Sequence, residues 1–500
     1  MHADTVIIGS GISGLTAAAL LAKNNIKIVL VEEKGRPGGA LKRFKRKGVP
    51  FDVGFHYTGC CGDGQILKTL WNYIGLADML EIVPFPKNGC DSVKIQGRDR
   101  EVHCYFAYDD LENELVSNFP QEKQGIIEFL NLIKNTCSKI PFYSMDLELS
   151  PFLKNFFNQG KSVQQIIASL IKDPELQAVL AAPAVLYGVK PQVAGLLVHA
   201  SVVHGYHTGA YGIVGGGQAV VDAFLKLFET LDVEVLTNAK AQEIIVQNGE
   251  VQGVETAAGF IHSKKVIYTG PPLRLLDSIS PEVFRPAYVH RLQDLKNTAS
   301  MFIVFGVTED FEFARELQWQ NRISLSPGFD VLKVHDSSPV KNSLLMTAPG
   351  LRDSRNILPD IPYSVILMRP AAWSEVALFA DSRLRNRPAA YEEWKEKNCQ
   401  ALLNLAHHEL GLDTGRFSVL ESGSPLTFRD ELGMPEGGIY GPQFCLGQYN
   451  PAARTRVDGL LLGGQATLMP GIVGASLSAI VTCGEIAGLN FLWDEIRKCR

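Results

Sequence analysis

Five hundred residues correspond to roughly three domain-sized units, enough chain to bury a large core. Apolar residues make up 46% and charged residues 20%, which excludes a disordered, collagen-like or coiled-coil chain. Lys and Arg number 48 against 53 Asp and Glu, and the resulting net charge of −5 gives the chain no overall pull toward nucleic acid.

No basic segment precedes the first apolar run, so Thr5 to Ile8 reads as a β-strand and no secretory signal is expected. The strand runs into Gly9-Ser10-Gly11-Ile12-Ser13-Gly14, and Leu15 to Asn24 continues with Ala-rich helical character. A second strand, Ile26 to Val31, ends at Glu32, 23 residues after Gly9. This is a dinucleotide-binding β-α-β unit of the Rossmann type. Gly9 permits the tight turn, Gly11 lets backbone approach a pyrophosphate, and Gly14 lets helix and strand pack closely. Ile12 and Ser13 open the helix whose N-terminal N–H groups and dipole attract the phosphates. Glu32 is expected to accept from both ribose hydroxyls and, as an anion, to repel a 2′-phosphate. Glu33, Arg36, Gly38, Gly39 and Ala40 follow, then the turn Phe51-Asp52-Val53-Gly54. Two glycines after an Arg suit backbone running along a cofactor that extends past its pyrophosphate, which points to FAD rather than NAD.

Further along, Ile126 to Ile133, Phe152 to Phe157 and Val163 to Ile171 are helix-like apolar pieces interspersed with lysines. They suit amphipathic core helices or a substrate mouth resting on a membrane. Leu176 to Val203 is the nearest approach to a spanning segment, but Pro183, Gly188, Lys190, Pro191 and Gly195 interrupt it. The run Gly215-Gly216-Gly217 precedes an amphipathic helix, Ala219 to Leu231, and lacks the strand order of a second nucleotide site. Strands are predicted at Val233 to Leu236, Ala241 to Gln247, Glu250 to Thr256 and Phe260 to Tyr268, with a type I′ turn at Asn248-Gly249. Near the end, an apolar run closes in Gly463-Gly464-Gln465, and Pro470-Gly471-Ile472-Val473 leads into a helix, Gly474 to Leu489. That helix N-terminus suits the negative charge a flavin gains on reduction. Ala241, Gly464, Gln465, Gly471, Ile472 and Val473 join the candidate cofactor contacts.

The fold class expected is α/β: a discontinuous FAD-binding domain from 1–70, 212–280 and 425–500, and an α+β substrate domain from 71–211 and 281–424. Nine scattered cysteines without a C-x-x-C suggest reduced thiols in a cytoplasmic setting, and neither they nor His407-His408 form a metal site. The adjacent Cys60-Cys61 reads as two ordinary thiols, with a strained, reducible disulfide as the alternative.

The stretch from Gly9 through Glu32 to Gly38-Gly39 resembles the FAD site shared by flavin amine oxidases, phytoene desaturases and GDP-dissociation inhibitors. Within that group, Phe51-Asp52-Val53-Gly54-Phe55-His56-Tyr57-Thr58-Gly59 and the segment Val457 to Ala475 are similar to the retinol saturase and carotenoid isomerase branch. One departure is Ala466, where the branch carries an acidic residue that reaches the ribityl chain. The resemblance implies an FAD-dependent oxidoreductase acting on C=C or CH–CH bonds of a carotenoid, retinoid or other isoprenoid, with an external electron donor or acceptor and peripheral membrane contact. Polyene cis–trans isomerisation with reduced FAD, amine oxidation and a non-redox lipid or prenyl carrier are the alternatives. Such chemistry needs placement and a proton donor. The candidates are His56, Tyr57, His204, Tyr206 and His207, with Tyr211 beside them.

Overall fold

Strands that are apolar on both faces need cover on both faces, and Val6-Ile7, Val29 to Val31, Val266-Ile267 and Leu460-Leu462 are all buried. The computed structural model describes residues 1–154, 160–332, 343–354 and 362–500. In it these segments form one parallel sheet ordered Leu460–Leu462, Val266–Tyr268, Thr5–Ile8, Ile28–Val31, Glu234–Leu236. Three distant stretches of chain thus share one sheet. Helix Ile12–Lys23 lies against it and packs along helix Gly471–Ala487. The contact with the first strand is so close that a Cβ on Gly14 would stand 1.9 Å from the Gly9 carbonyl oxygen.

The predicted hairpin Ala241–Gln247/Glu250–Thr256 is present, and Asn248 (φ 52°) and Gly249 (φ 82°) both take the positive φ of a type I′ turn. The single strand expected over Phe260 to Tyr268 is instead two. Gly259–His262 completes the three-stranded antiparallel sheet, and Val266–Tyr268 enters the parallel one. Ser263 makes the break: its hydroxyl accepts from the Lys265 N–H (3.2 Å) and donates to the Asp4 carbonyl (3.1 Å). The helix expected over Gly474 to Leu489 starts three residues earlier and stops at Ala487, where Gly488 (φ 93°) separates it from helix Leu489–Arg497.

The glycine run before helix Gly216–Leu231 is a seat for a buried ion pair. Arg43 grips Asp52 with two bonds (2.8 and 2.9 Å) and also reaches Asp353, while the Gly215 and Gly217 N–H groups donate to Asp353 and Asp52. A Cβ on Gly216 would stand 2.2 Å from an Asp52 carboxylate oxygen. The aspartate of Phe51-Asp52-Val53-Gly54 therefore fastens the turn leading to His56 onto two other segments.

A second, seven-stranded sheet runs Phe417–Gly423, Ser300–Thr308, Tyr363–Ala371, Leu344–Thr347, Gln320–Leu325, Cys90–Ile95, Glu101–Tyr105. It is antiparallel except where Gln320–Leu325 pairs with Cys90–Ile95. Strand Tyr211–Ile213 crosses the expected division at residue 212 and pairs with Ile82–Pro84. The helix Lys123–Cys137 turns Ile126, Phe129, Leu130 and Ile133 inward, and Val163–Leu170 buries Val163 and Ile167. Helix Leu149–Lys154 contains the start of the Phe152 to Phe157 piece, whose remainder lies outside the described residues. Leu176 to Val203 divides between helices Pro174–Ala181 and Leu196–His207. Among the described residues no helix is long and apolar enough to cross a membrane.

Breaking a buried ion pair leaves one charge stranded, at a cost of about 3 kcal/mol. Asp52→Ala is accordingly expected to lower the unfolding free energy by about that amount in a denaturant titration.

Candidate active site

The first part of the site is a crevice where two helices begin. Helix Ile12–Lys23 has Gly11 as N-cap and helix Gly471–Ala487 has Pro470, and neither receives a side-chain cap. Their first N–H groups therefore remain free for an anion. A Cβ built on Gly11 or on Gly471 meets nothing within 4 Å, so both glycines front open space. Gly39 stands over Gly11, its Cβ position 3.4 Å from the Gly11 Cα, and Gly54 lies against Ala40. The segment Gly38-Gly39-Ala40 thus runs from the crevice to the turn that carries His56. Gly464 borders the crevice from the C-terminal side, donating to the Ser478 hydroxyl (3.0 Å), and Gln465 lies beside Gly441. Ser13 contributes a buried hydroxyl without a partner, close to Gly463. Ile472 and Val473 occupy the first turn of the second helix.

Glu32 is buried and already accepts from Ser10 through both the N–H (3.2 Å) and the hydroxyl, and from the Lys34 N–H (2.8 Å). A carboxylate has about four acceptor positions, so capacity for a ribose hydroxyl remains. Its carbonyl accepts from Ala239 (2.9 Å), which brings the start of strand Ala241–Gln247 to the same end of the sheet. Glu33 and Arg36 sit at the surface. Glu33 faces Arg274 at 3.9 Å, and Arg36 donates to Gln218 at 3.1 Å. Phosphate-seeking N–H groups, a buried carboxylate and a glycine-lined path between them fit the ADP half of FAD. Ala466 is buried and offers no carboxylate to the ribityl chain.

The second part lies where the seven-stranded sheet meets the loop that carries His56. Register sets a polar row across three strands: Asp91 opposes Asn321, whose Nδ2 donates to it at 2.7 Å, and the Thr347 hydroxyl donates to Asn321 Oδ1 at 2.6 Å. Arg352 completes the row, donating to Asn321 Oδ1 (3.0 Å), the Gln318 carbonyl (2.8 Å) and the His56 carbonyl (2.9 Å). The Tyr57 hydroxyl donates to Asp91 at 3.1 Å. Chain pairing between Thr58 and Tyr211 (2.9 and 2.8 Å) brings the His56-Tyr57 and His204-to-Tyr211 segments side by side. The Tyr57 and Tyr206 rings lie 4.9 Å apart, and Phe85, Phe106 and Trp319 extend the cluster. Next to it is a mostly apolar cavity walled by Val93, Leu115, Leu130, Val179 and Val203, with Asp91, Tyr206 and His207 as its polar edge.

The expected proton carriers do not form one group. His204 bonds Tyr108 (2.7 Å) and packs edge-on against Tyr143, and His56 keeps a buried Nδ1 without a partner. Burial lowers His56 to about 4, with Arg352 adding to the effect, and burial likewise lowers His204 and His207 to about 4. All three are therefore uncharged at neutral pH. Burial instead raises Asp91 to about 6, against the opposing bonds from Asn321 and Tyr57. Asp91, Asn321 and Arg352 were absent from the sequence-derived candidates. None of the three gave a local signal, because pairing between strands more than two hundred residues apart brings Asp91 and Asn321 together.

Cys60 and Cys61 are free, buried thiols, and burial pushes Cys60 up to about 12, which removes the thiolate that disulfide exchange requires. His407 bonds the Leu412 carbonyl, and among the described residues no group of His, Cys, Asp and Glu is arranged to hold a metal.

The parallel sheet with its two uncapped helix N-termini, beside a large mixed sheet, is the framework of an FAD-dependent oxidoreductase. The chain belongs to the flavin containing amine oxidoreductase family, whose model matches residues 12–358. It is 25% identical to all-trans-retinol 13,14-reductase of Macaca fascicularis over 98% of this chain and 86% of that one. It is 24% identical to the chloroplastic prolycopene isomerase of Daucus carota, over 97% and 80% of the two chains. An oxidoreductase from Methanosarcina mazei shares the fold with a TM-score of 0.66 at 16% identity, covering 96% of this chain and 99% of that one.

The folded Asp91 carboxyl holds its proton more tightly than the unfolded one, whose value is 3.8, so the folded state binds more protons across this window. Stability is lost as pH rises from about 4 to 7, and Asp91→Asn removes that dependence. Relative to this variant, the wild type should lose up to about 3 kcal/mol over the range, read from denaturant titrations at several pH values.

Proposed function

We propose that this protein exchanges hydride between FAD and a C=C or CH–CH bond of a long apolar isoprenoid. The observation that carries the reading is the apolar cavity whose polar edge contains Asp91, Tyr206 and uncharged His207, the Tyr206 ring lying 4.9 Å from that of Tyr57. Apolar burial alone supplies about 0.8 kcal/mol per CH2, so a polyene needs few polar anchors. The full-length similarity to a retinol reductase and a prolycopene isomerase supports the same substrate class. Isomerisation of a polyene shares this site and differs only in the fate of the electrons.

FAD supplies the hydride donor or acceptor. Gly9, Gly11, Ile12, Ser13 and Gly14 would hold its pyrophosphate, Glu32 its ribose, and Gly38 to Ala40 with Gly464, Gln465 and Gly471 to Val473 the flavin half. The parallel sheet and its helices form the FAD-binding unit in this reading, and the seven-stranded sheet with the helices over its cavity forms the substrate unit. An external electron partner reaches the same flavin, and peripheral attachment would bring a membrane-borne substrate to the cavity. The aromatic cluster of Tyr57, Phe85, Phe106, Tyr206 and Trp319 does not favour an amine. Its neighbouring rings pack against one another at 4.9–6.0 Å instead of lining a gap.

Because a Cβ at Gly11 meets no protein atom, Gly11→Asp should leave thermal unfolding of the FAD-free protein nearly unchanged while abolishing the flavin absorbance of the purified protein. Product analysis of FAD-loaded enzyme with all-trans-retinol, phytoene and poly-cis-lycopene, with and without reductant, tests the reaction. Saturation, desaturation or isomerisation of at least one is expected. Oxidation of amines without turnover of any polyene would overturn the reading.

A further inference from the structure

The face that strand Cys90–Ile95 turns toward the cavity is apolar at Val93, and Ile323 continues it on the neighbouring strand. By the two-residue alternation of strands, Asp91 and Asn321 stand on that same face, paired across the ladder. A carboxyl among aliphatic side chains costs stability unless hydrogen bonds offset its lost hydration. Arg352 Nη2 and the Thr347 hydroxyl both donate to Asn321 Oδ1 (3.0 and 2.6 Å). A guanidinium cannot accept, so the Asn321 amide is fixed with its oxygen toward Arg352 and its Nδ2 toward Asp91 Oδ1 (2.7 Å). The Tyr57 hydroxyl lies 3.1 Å from Asp91 Oδ2 and 3.3 Å from Oδ1. Oδ1 is therefore committed as an acceptor, and a proton taken up by this carboxyl resides on Oδ2. Asp91 itself lines the cavity, held from the loop by Tyr57 and from the next strand by Asn321. Around it, burial keeps the Tyr57 and Tyr206 phenols and the Cys90 and Cys104 thiols protonated, and His207 is uncharged. Arg352, one residue removed through Asn321, is the charged group that faces it.

We propose that Asp91 is the general acid–base of the reaction, exchanging a proton with the substrate at the cavity edge, and that Tyr57, Asn321 and Arg352 position it. The inference rests on the isoprenoid reading above and deepens it. Hydride exchange with FAD carries two electrons and one proton to or from one carbon, and the neighbouring carbon must gain or lose the second proton. In saturation the Asp91 Oδ2–H bond breaks as a C–H bond forms, which leaves the carboxylate. In desaturation that C–H bond breaks, its electron pair enters the new C=C bond, and Oδ2 takes the proton. FAD is the reductant or oxidant in each direction, renewed by the external electron partner. Burial sets Asp91 to about 6, so both of its protonation states are populated near neutral pH. His56, His204 and His207 have already lost their acidic proton above about 4.

The test combines pH profiles of the FAD-loaded enzyme on all-trans-retinol, phytoene and poly-cis-lycopene with an infrared pH titration of the substrate-free holoenzyme. For the polyene that turns over, kcat/KM should carry a limb near pH 6, falling above it for saturation and below it for desaturation. Asp91→Asn should keep its flavin absorbance, lose the limb and lower kcat/KM by about 100-fold or more. Tyr57→Phe removes a bond that favours the carboxylate and should move the limb to higher pH. In the infrared, one carboxylic-acid C=O band should titrate at the pH of the limb and be missing from Asp91→Asn. A limb that persists in Asp91→Asn, or that Tyr57→Phe leaves in place, would overturn the proposal while leaving the isoprenoid reading intact. Polyene isomerisation without any such limb would do the same. If amines are oxidised and no polyene turns over, the isoprenoid reading fails together with this one.

Discussion

A guanidinium shut away from water has to be satisfied by everything around it, and Arg352 is the group that ties the seven-stranded sheet to the loop bearing His56. Burial lowers its pKa to about 10, which still leaves it charged at neutral pH. Its bonds go to the Gln318 and His56 carbonyls and to Asn321, and among the described residues none goes to a carboxylate. The compensating charge is Asp91, one residue removed through Asn321. A buried pair separated in this way gains less direct attraction than a bidentate bridge, but it fixes more partners. The loop bearing His56, the strand bearing Asn321 and the segment Pro349–Asp353 cannot shift without leaving a charge or a carbonyl unmet. The face of Phe85 lies 4.7 Å from the same guanidinium and links it to the aromatic cluster.

The two ends of the chain were more legible than the middle, and the reason is physical. In Gly9 to Glu32, backbone chemistry demands particular residue types at fixed offsets, so turn, helix start and acidic end can each be read locally. The Asn248-Gly249 turn is local for the same reason, since two successive positive φ values almost name their residues. Nothing local marks Asp91. It becomes part of a site only because strand Cys90–Ile95 pairs in register with Gln320–Leu325, more than two hundred residues away. The aromatic cluster likewise draws Tyr57, Phe106 and Tyr206 from separate segments, so no stretch of sequence announces it. The single strand expected over Phe260 to Tyr268 misread an apolar run because the Ser263 hydroxyl offers the backbone an alternative to the ladder.

The glycine run Gly215–Gly217 carries the same lesson from the other direction. A glycine cluster before a helix is one signature of a phosphate loop, and here that helix N-terminus is engaged by the Asp52 and Asp353 carboxylates. Negative side chains occupy the positions an anionic ligand would take, and Arg43 neutralises them. The two helices at the proposed FAD crevice differ in this respect, because no side chain caps either one. Three helices therefore begin near glycines, and what separates two of them as candidates is which N-terminal N–H groups are still unbonded.

Electrostatics then divides the molecule's labour. The crevice presents N–H dipoles and the buried Glu32, an environment for a charged and strongly polar cofactor. The cavity presents the neutral His207, the Tyr206 phenol that burial keeps protonated, and the Asp91 carboxyl raised to about 6. Near neutral pH Asp91 exchanges its proton more readily than the phenol bonded to it, since Tyr57 is pushed well above 10 chiefly by burial. Net charge on the cavity side can therefore change mainly at Asp91, opposite the fixed charge of Arg352. A hydride moves two electrons and one proton, so reducing a C=C bond calls for one further proton, whereas a cis–trans isomerisation returns everything it takes. Under the proposed reading, the Tyr57–Asp91 pair is a place where that extra proton could be held. What distinguishes the two reactions at this site is therefore whether Asp91 changes its protonation over a turnover, and its raised value places that change near neutral pH.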